Sequence, residues 1–289
     1  MRARFQAQVQ ASLPHAPELV LVTDLDGTLL AGEPADRQRL YRWLSDCREQ
    51  VLHIFATGRE RSSVAELFDA PEHAPLRQPH LVISDVGCTV ACGDSLELVP
   101  LVVDDIERQW QPFAERVLAL TQGQPGLSPQ PVCAERRHAF DADQELMDPG
   151  LMQRLRQEGV DCVFSDGRYL DVLPPGVNKG STLQRVLELL EMPQVPVVVA
   201  GDTLNDLGLF QTGFPGVMVG NAEAPLLEWL PQLPNTYLAK GAGCSGILEG
   251  LEHFGFGELL AQGESSATAP SGWALRQPPS PPAVFSRKP

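Results

Sequence analysis

Residues 19–30 read LVLVTDLDGTLL and constrain the fold more than any other stretch. The opening apolar run has the unbroken hydrophobicity of a strand buried on both faces, as in a parallel sheet covered by helices. It stops at Asp24, Asp26 and the turn residue Gly27, which puts two carboxylates at the carboxyl edge of a central strand. In open α/β sheets ligands bind at that edge, because the loops there diverge and leave a crevice. Like charges so close are costly unless a cation or a shared proton relieves them, so the pair predicts a metal site or an acid/base pair. Residues i and i+2 of an extended backbone share a side, so one carboxylate could attack while its neighbour handles a proton. The competing reading is a solvated strand-to-turn junction, since Asp and Gly favour turns in any case.

The chain of 289 residues suffices for one large or two modest domains, and 43% hydrophobic with 20% charged residues is a soluble globular composition. A net charge of −15 argues against nucleic acid and anionic membrane surfaces as partners, because both are held by Lys and Arg. A phosphate substrate remains open, since a metal with one Lys and one Arg can make a pocket locally positive. The six cysteines are scattered apart from Cys88 and Cys92, which fits reduced, mostly buried thiols rather than a zinc site. Residues 1–18 lack the apolar core of a signal peptide and no window approaches a membrane span, so a cytoplasmic location is expected.

Apolar spacing predicts a helix over 34–50 and a strand over 51–56 that runs into Thr57-Gly58-Arg59. A helix through Phe68 follows, so this turn sits at a helix amino terminus that favours an anion, although Thr57 could equally be a plain N-cap. A strand at 81–84 ends in Asp85, and 89–92 with 96–101 reads as a hairpin about Gly93-Asp94. The middle differs in rhythm: a helix over 104–120, a Gly/Pro-rich connector over 123–131, a strand candidate at 132–140, a helix over 149–158, and strands at 162–165 and 169–173 turning at Asp166-Gly167. This predicts a small α+β unit over 104–173 inserted into an α/β core of 1–103 and 174–262. The α/β rhythm resumes with a helix from Lys179, a strand at 195–200 ending in GDTLND, a short helix, a strand at 215–219, and helices near 224–230 and 244–254. Residues 263–289 are Pro/Ser-rich and read as a disordered tail or linker.

Polar groups thus end three separate strands: Asp24 with Asp26, Thr57-Gly58-Arg59, and Asp202 with Asn205 and Asp206, while Lys179 adds a cation. Their order resembles the haloacid dehalogenase superfamily of phosphotransferases, with DLDGT as its first motif, ATGR as its second, Lys179 as its third and GDTLND as its fourth. An insertion between the second and third motifs resembles the type IIB cap of the Cof-like branch on a Rossmann-like core. The segments DGRYLDVLPPGVNKGSTL, VVVAGDTLNDLGLF and YLAKGAGCSGILEGLEHFGF resemble bacterial sucrose-phosphate phosphatases more closely. Gly27 departs from the Asn expected in sucrose-specific members.

The resemblance implies that Asp24 is a nucleophile forming an aspartyl-phosphate and that Asp26 is the acid/base, with its backbone carbonyl as the alternative role. It implies Mg2+ held by the Asp24 carboxylate, the Asp26 carbonyl and Asp202, with Asp206 on a metal-bound water. Thr57, Gly58, Arg59, Lys179 and Asn205 would bind the phosphoryl group, with Arg59 alternatively a structural ion pair and Asn205 alternatively an orienter of Lys179 or a helix cap. Asp85 and Asp171 read as solvated or structural. Sugar contacts are expected within 135–141 or 166–169, with Glu135, Arg136, Arg137, His138, Asp141 and Asp166 as the available polar side chains, although a solvated surface is the competing reading. The implied substrate is a phosphorylated glycoside of compatible-solute type, sucrose 6-phosphate or glucosylglycerol phosphate, with a cognate sugar-phosphate synthase as a possible partner. Two alternatives remain: a phosphomutase, and a non-catalytic domain serving such a synthase.

Overall fold

The computed structural model describes residues 2–9, 13–133 and 135–267, except the side chains of Arg2 and of 263–267. Helix α1 (Arg2–Val9) precedes β1 (Leu19–Thr23), α2 (Pro34–Asp46), β2 (Val51–Ala56), α3 (Arg61–Glu66) and β3 (Leu81–Ser84). Strand β4 (Thr89–Cys92) then leads into the long helix α4 (Pro100–Thr121). Next come β5 (Leu127–Pro129), β6 (His138–Ala142), α5 (Leu151–Gln157), β7 (Asp161–Ser165) and β8 (Tyr169–Leu173). Alternation resumes with α6 (Lys179–Leu190), β9 (Val197–Gly201), α7 (Leu207–Gln211), β10 (Gly216–Met218), α8 (Ala224–Leu227), β11 (Thr236–Leu238), α9 (Gly243–His253) and α10 (Gly257–Ala267).

Seven strands form one sheet in the order β11-β10-β9-β1-β2-β3-β4, parallel except for the edge strand β4. The chain leaves β1 toward β2 on one side, and β9 pairs with β1 on the other, so β1 and β9 flank the point where strand order reverses. The alternation of β1 divides the core. Val20 and Val22 face a layer containing Phe5, Val9, Leu183 and Val186, whereas Leu19 and Leu21 face Leu40, Trp43, Ile247 and Leu251. A second sheet, β5-β6-β8-β7, is wholly antiparallel and lies between β4 and α6 in sequence. Helix α4 joins the two bodies: Val102, Val103 and Ile106 pack in the large core, and Trp110 and Val117 pack with Phe140, Leu170 and Val172 of the smaller one.

The α/β class and the α+β insertion expected from the sequence are both present, with local differences. The anticipated hairpin about Gly93-Asp94 is present but short, one bridge from Ala91 to Leu98 flanked by Cys92 N–H to Glu97 O and Val99 N–H to Val90 O, because Pro100 starts α4. The strand expected at 132–140 begins at His138, and the Gly/Pro-rich connector supplies β5. Helix α1 was not anticipated: its mean pattern is polar, yet Phe5 and Val9 are fully buried. Helix α10 runs past position 263, where a tail was expected, and 268–289 lie outside the described residues. Among the described residues no helix is long and apolar enough to cross a membrane. All six cysteines are free thiols, four of them buried.

A histidine pair is sealed beneath the central strands. The His53 ring Nε2 lies 3.0 Å from Thr23 Oγ1, and its backbone N–H donates to His80 Nδ1 at 3.0 Å. Burial, then the neighbouring His80, pushes His53 down to about 3. Burial, then Arg48, pushes His80 down to about 4. Both values lie below the unfolded value, so the stability contributed by the neutral rings is complete above about pH 6.5 and is lost as pH falls toward about 4. The expected slope is about 1.4 kcal/mol per pH unit for each ring within that window. Imidazole NMR resonances of the folded protein should stay at neutral positions down to pH 5; an inflection near 6.5 for either ring would contradict this.

Candidate active site

The carboxyl edge of β1 and β9 gathers the charged groups. The Asp24 N–H donates to Ala200 O at 2.9 Å, which carries the β1–β9 pairing one residue past the strand and sets Asp24 beside the segment bearing Asp202. The backbone then turns through Asp26 and Gly27, the latter at φ +79°. A Cβ at position 27 would lie 2.0 Å from Asp202 Oδ2, so in this arrangement glycine suits both the backbone and the packing against Asp202. Thr28 Oγ1 donates to Asp202 Oδ1 at 2.8 Å. After β9, Thr203 and Asp206 form a reciprocal capping box around the turn Leu204–Asp206. Asp206 Oδ2 accepts from the N–H groups of Asp202 (2.9 Å) and Thr203 (3.1 Å).

Lys179 is the first residue of α6, capped by Asn178, and is fully buried. A cation at a helix amino terminus opposes the helix dipole, so other groups must hold it. Its ammonium donates to Asp24 Oδ1 at 2.7 Å, Asp206 Oδ1 at 2.6 Å and Asn205 Oδ1 at 2.5 Å. Those three bonds use every N–H the group possesses. Asn205 therefore orients Lys179, and Thr203 does the capping. Burial by itself would lower the Lys179 pKa, but Asp206 and Asp24 outweigh it and hold the ammonium above its ordinary value.

Burial pushes the Asp24 carboxyl well up; Lys179 opposes this, and Asp206 and Asp202 reinforce it. Burial, then Asp206, pushes Asp202 up to about 7. Ligand oxygens of Asp24, Asp202 and Asp206 lie within 4.8 Å of one another. One ammonium faces these three buried acids, so with all of them ionised the cluster is short of positive charge. A hard divalent cation with oxygen ligands fits that deficit and that donor set.

Asp26 behaves differently from its neighbour. Its carboxylate is 59% exposed and takes a two-pronged ion pair from Arg59, Nε to Oδ2 at 2.7 Å and a terminal nitrogen to Oδ1 at 2.6 Å. The Asp26 hydrogen bonds raise the Arg59 pKa against the opposing effect of burial. Thr57 is buried, and its Oγ1 accepts from the Arg59 N–H at 3.1 Å; the residue capping α3 is Glu60, so Thr57 is not the helix cap. Asp24, Asp26, Gly58, Arg59, Asp202 and Asn205 line a cavity of about 630 Å³. Gln130, Val132, Arg137, Ser165, Asp166, Arg168 and Tyr169 line it from the smaller body.

Of the residues expected to read a sugar, Arg137, Asp166, Arg168 and Tyr169 line this cavity, and Glu135, Arg136, His138 and Asp141 do not. Arg136 is buried and donates to Cys88 O at 3.1 Å and Thr89 Oγ1 at 3.3 Å. The His138 ring bonds Ala114 O at 3.1 Å and meets Trp110 edge-on. Both act as structural contacts, because their polar atoms are consumed within and between the two bodies. Asp85 and Asp171 prove buried rather than solvated: Arg137 bonds both carboxylates and Gly58 O. Gln130 and Ser165 were missed, since isolated polar residues carry no periodic signal; the neighbouring Asp166-Gly167 turn was the one local pointer toward them.

The fold is that of the haloacid dehalogenase-like hydrolases. One such protein from Bacillus subtilis superposes with a TM-score of 0.59 at 16% identity, covering 84% of this chain and 94% of that one, a likeness of fold alone. The chain belongs to the sucrose-6F-phosphate phosphohydrolase family, whose profile matches residues 17–255. It is similar to a solved sucrose-phosphatase from Synechocystis sp. PCC6803 in complex with sucrose and phosphate, with a TM-score of 0.72 and 30% identity over 82% of this chain and 98% of that one. It is 38% identical over 82% of its length to a glucosylglycerol-phosphate synthase from Pseudomonas anguilliseptica, of which it spans 31%. It is 29% identical over 83% of its length to a probable sucrose-phosphatase 3a from Arabidopsis thaliana, of which it spans 60%.

The buried Arg137 bridge yields a stability test. Arg137→Met strands the Asp85 and Asp171 carboxylates without a counter-ion, which should cost about 3–5 kcal/mol. For a domain of this size the melting temperature should fall by roughly 6–20 °C. Adding Asp85→Asn and Asp171→Asn should restore part of the loss in calorimetry; no recovery would mean the cost lies elsewhere.

Proposed function

We propose that this chain is a Mg2+-dependent phosphatase that hydrolyses a phosphorylated glycoside through an aspartyl-phosphate on Asp24. The observation that carries the reading is the burial of Asp24 against Lys179, with Asp202 and Asp206 beside it, at the reversal point of the sheet. Asp24, Asp202 and Asp206, with the Asp26 carbonyl, would hold the metal. When bound, the metal supplies positive charge against the phosphoryl oxygens and the attacking carboxylate.

An Asp24 oxygen attacks phosphorus as the bond to the glycoside oxygen breaks, and protonated Asp26 delivers its proton to that oxygen. Water then attacks the same phosphorus, Asp26 takes its proton, and phosphate leaves with the Asp24 carboxylate restored. Asp26 must loosen from Arg59 to serve both steps, and its 59% exposure leaves it room to do so. Lys179 holds the nucleophile, and the N–H released when Asp24 is committed to phosphorus becomes available to a phosphoryl oxygen. The Gly58, Arg59 and Asn205 edge of the cavity faces the phosphate, and the Thr57 hydroxyl keeps a hydrogen for it.

The cavity is large enough for a disaccharide-sized leaving group, and its far wall carries the polar groups that a polyol needs. The family supports sucrose 6-phosphate. The synthase-named relative favours glucosylglycerol phosphate as an equal candidate, with a sugar-phosphate synthase as the partner that makes the substrate. Phosphate release from a panel of glycosyl phosphates tests the reading. Production of an isomeric sugar phosphate instead would favour a mutase, and no turnover would favour a non-catalytic role.

Asp24→Asn should lower turnover by at least about a thousandfold with the melting temperature little changed, because the amide removes the nucleophile at constant shape. Mass spectrometry should locate an acyl-phosphate on Asp24, and its appearance elsewhere would overturn the assignment. Chelation should abolish phosphate release and added Mg2+ should restore it; full activity in chelator would remove the metal from the reading.

A further inference from the structure

Glu223 lies outside the catalytic motifs and does not line the cavity, yet it touches both walls of it. The residue caps α8 on the segment after β10. Its backbone N–H donates to Asp202 O at 2.8 Å. One carboxylate oxygen accepts from Leu204 N–H, in the turn that carries Asn205 and Asp206. The other accepts from Asp166 N–H at 2.9 Å, in the turn between β7 and β8. That second turn delivers Asp166, Arg168 and Tyr169 to the cavity. Arg168 lies over the Tyr169 ring at 4.5 Å and bonds Asp166 Oδ2 at 3.1 Å, so the three side chains are in mutual contact. The half-buried carboxylate is thus shared between the phosphoryl-transfer turn and the turn facing the leaving group.

We propose that Glu223 is a positioning residue that sets the leaving-group wall at 166–169 against the catalytic turn at 203–206; this rests on the phosphatase reading. Neither turn depends on it alone to keep its shape. The catalytic turn is also held by the Thr203/Asp206 capping box, by Glu223 N–H to Asp202 O, and by Lys179 bonding Asn205 and Asp206. The turn at 166–169, with Asp166 at φ +52°, is closed within its own body by Arg168 N–H to Ser165 O at 3.2 Å and by Ala142 N–H to Arg168 O at 2.7 Å, whereas Asp166 N–H is given to Glu223. Removal of the shared carboxylate therefore leaves each turn folded within its own body and removes the bond that registers one against the other. Registration of the glycoside suffers, and chemistry on a phosphate lacking a sugar suffers less.

Amide exchange by NMR on the full chain reads the tie directly. In Glu223→Ala the Asp166 and Leu204 amides should exchange about tenfold faster or more, the loss of one hydrogen bond at each. Glu223→Gln, which keeps one acceptor oxygen, should release one of the two. Glu60→Gln, whose parent side chain bonds Cys133 N–H instead, should leave both amides as in the wild type. Kinetically, Glu223→Ala should raise KM for the preferred glycosyl phosphate about tenfold while kcat/KM for an aryl phosphate changes less than about threefold. Glu223→Gln should lie between. Unchanged exchange at both amides, or equal losses on both substrates, would overturn the proposal. A wild-type protein that releases no phosphate from any glycosyl phosphate would overturn the phosphatase reading instead, and the exchange rates would still decide whether Glu223 joins the two turns.

Discussion

The rest of the site depends on one buried ammonium. Lys179 starts α6, Asp24 ends β1, and Asn205 with Asp206 belong to the turn after β9, so a single side chain ties three separate elements at one point. An ion pair this deep contributes little net stability relative to an apolar replacement, because both partners are desolvated. Its effect is on geometry: an uncompensated charge there would be so costly that the three elements have one permitted arrangement. The same constraint places Asp24 beside Asp202 and Asp206 and leaves an excess of negative charge that invites a divalent cation.

The two bodies meet through contacts of two kinds. From the smaller body, Arg136 and Arg137 penetrate the core and end on the buried Cys88, Thr89 and Asp85 and on the half-buried Gly58. From the core, Glu60 and Glu223 reach back to single backbone N–H groups at Cys133 and Asp166, near solvent. Buried arginines with two carboxylate partners are expensive to break, whereas one peptide hydrogen bond in partial contact with water is cheap. The joint therefore combines a fixed seat with adjustable edges, which suits a cavity that must admit a leaving group and then exclude water around it.

Asp24 and Asp26, two residues apart, show how far environment separates chemically identical groups. Asp24 is buried and tied to a lysine, and Asp26 faces the cavity and is clasped by an arginine from the turn after β2. One is protected from solvent and fixed; the other is accessible and held by a pair that can open. Such a division of environments is how two carboxylates come to take different parts in one reaction.

Much was legible in the chain because it was local. Uninterrupted apolar runs such as VVVA and LVLV belong to strands buried on both faces, and the polar turns that end them fall at one sheet edge by the topology of parallel sheets. The inserted α+β unit was legible from the change in rhythm after Leu101. What the sequence could not decide were matters of long-range pairing. Nothing local distinguishes Arg136 as a buried strut from Asp166 as a cavity wall, since both are polar residues near strand ends. A largely polar α1 buries Phe5 and Val9, because partners far along the chain offered better burial. The sequence by itself determined the class of fold and the gathering of the polar strand ends at one sheet edge, through hydrophobic period and turn chemistry. Only the tertiary structure decided which charge meets which, because a carboxylate acquires a role from the groups packed against it.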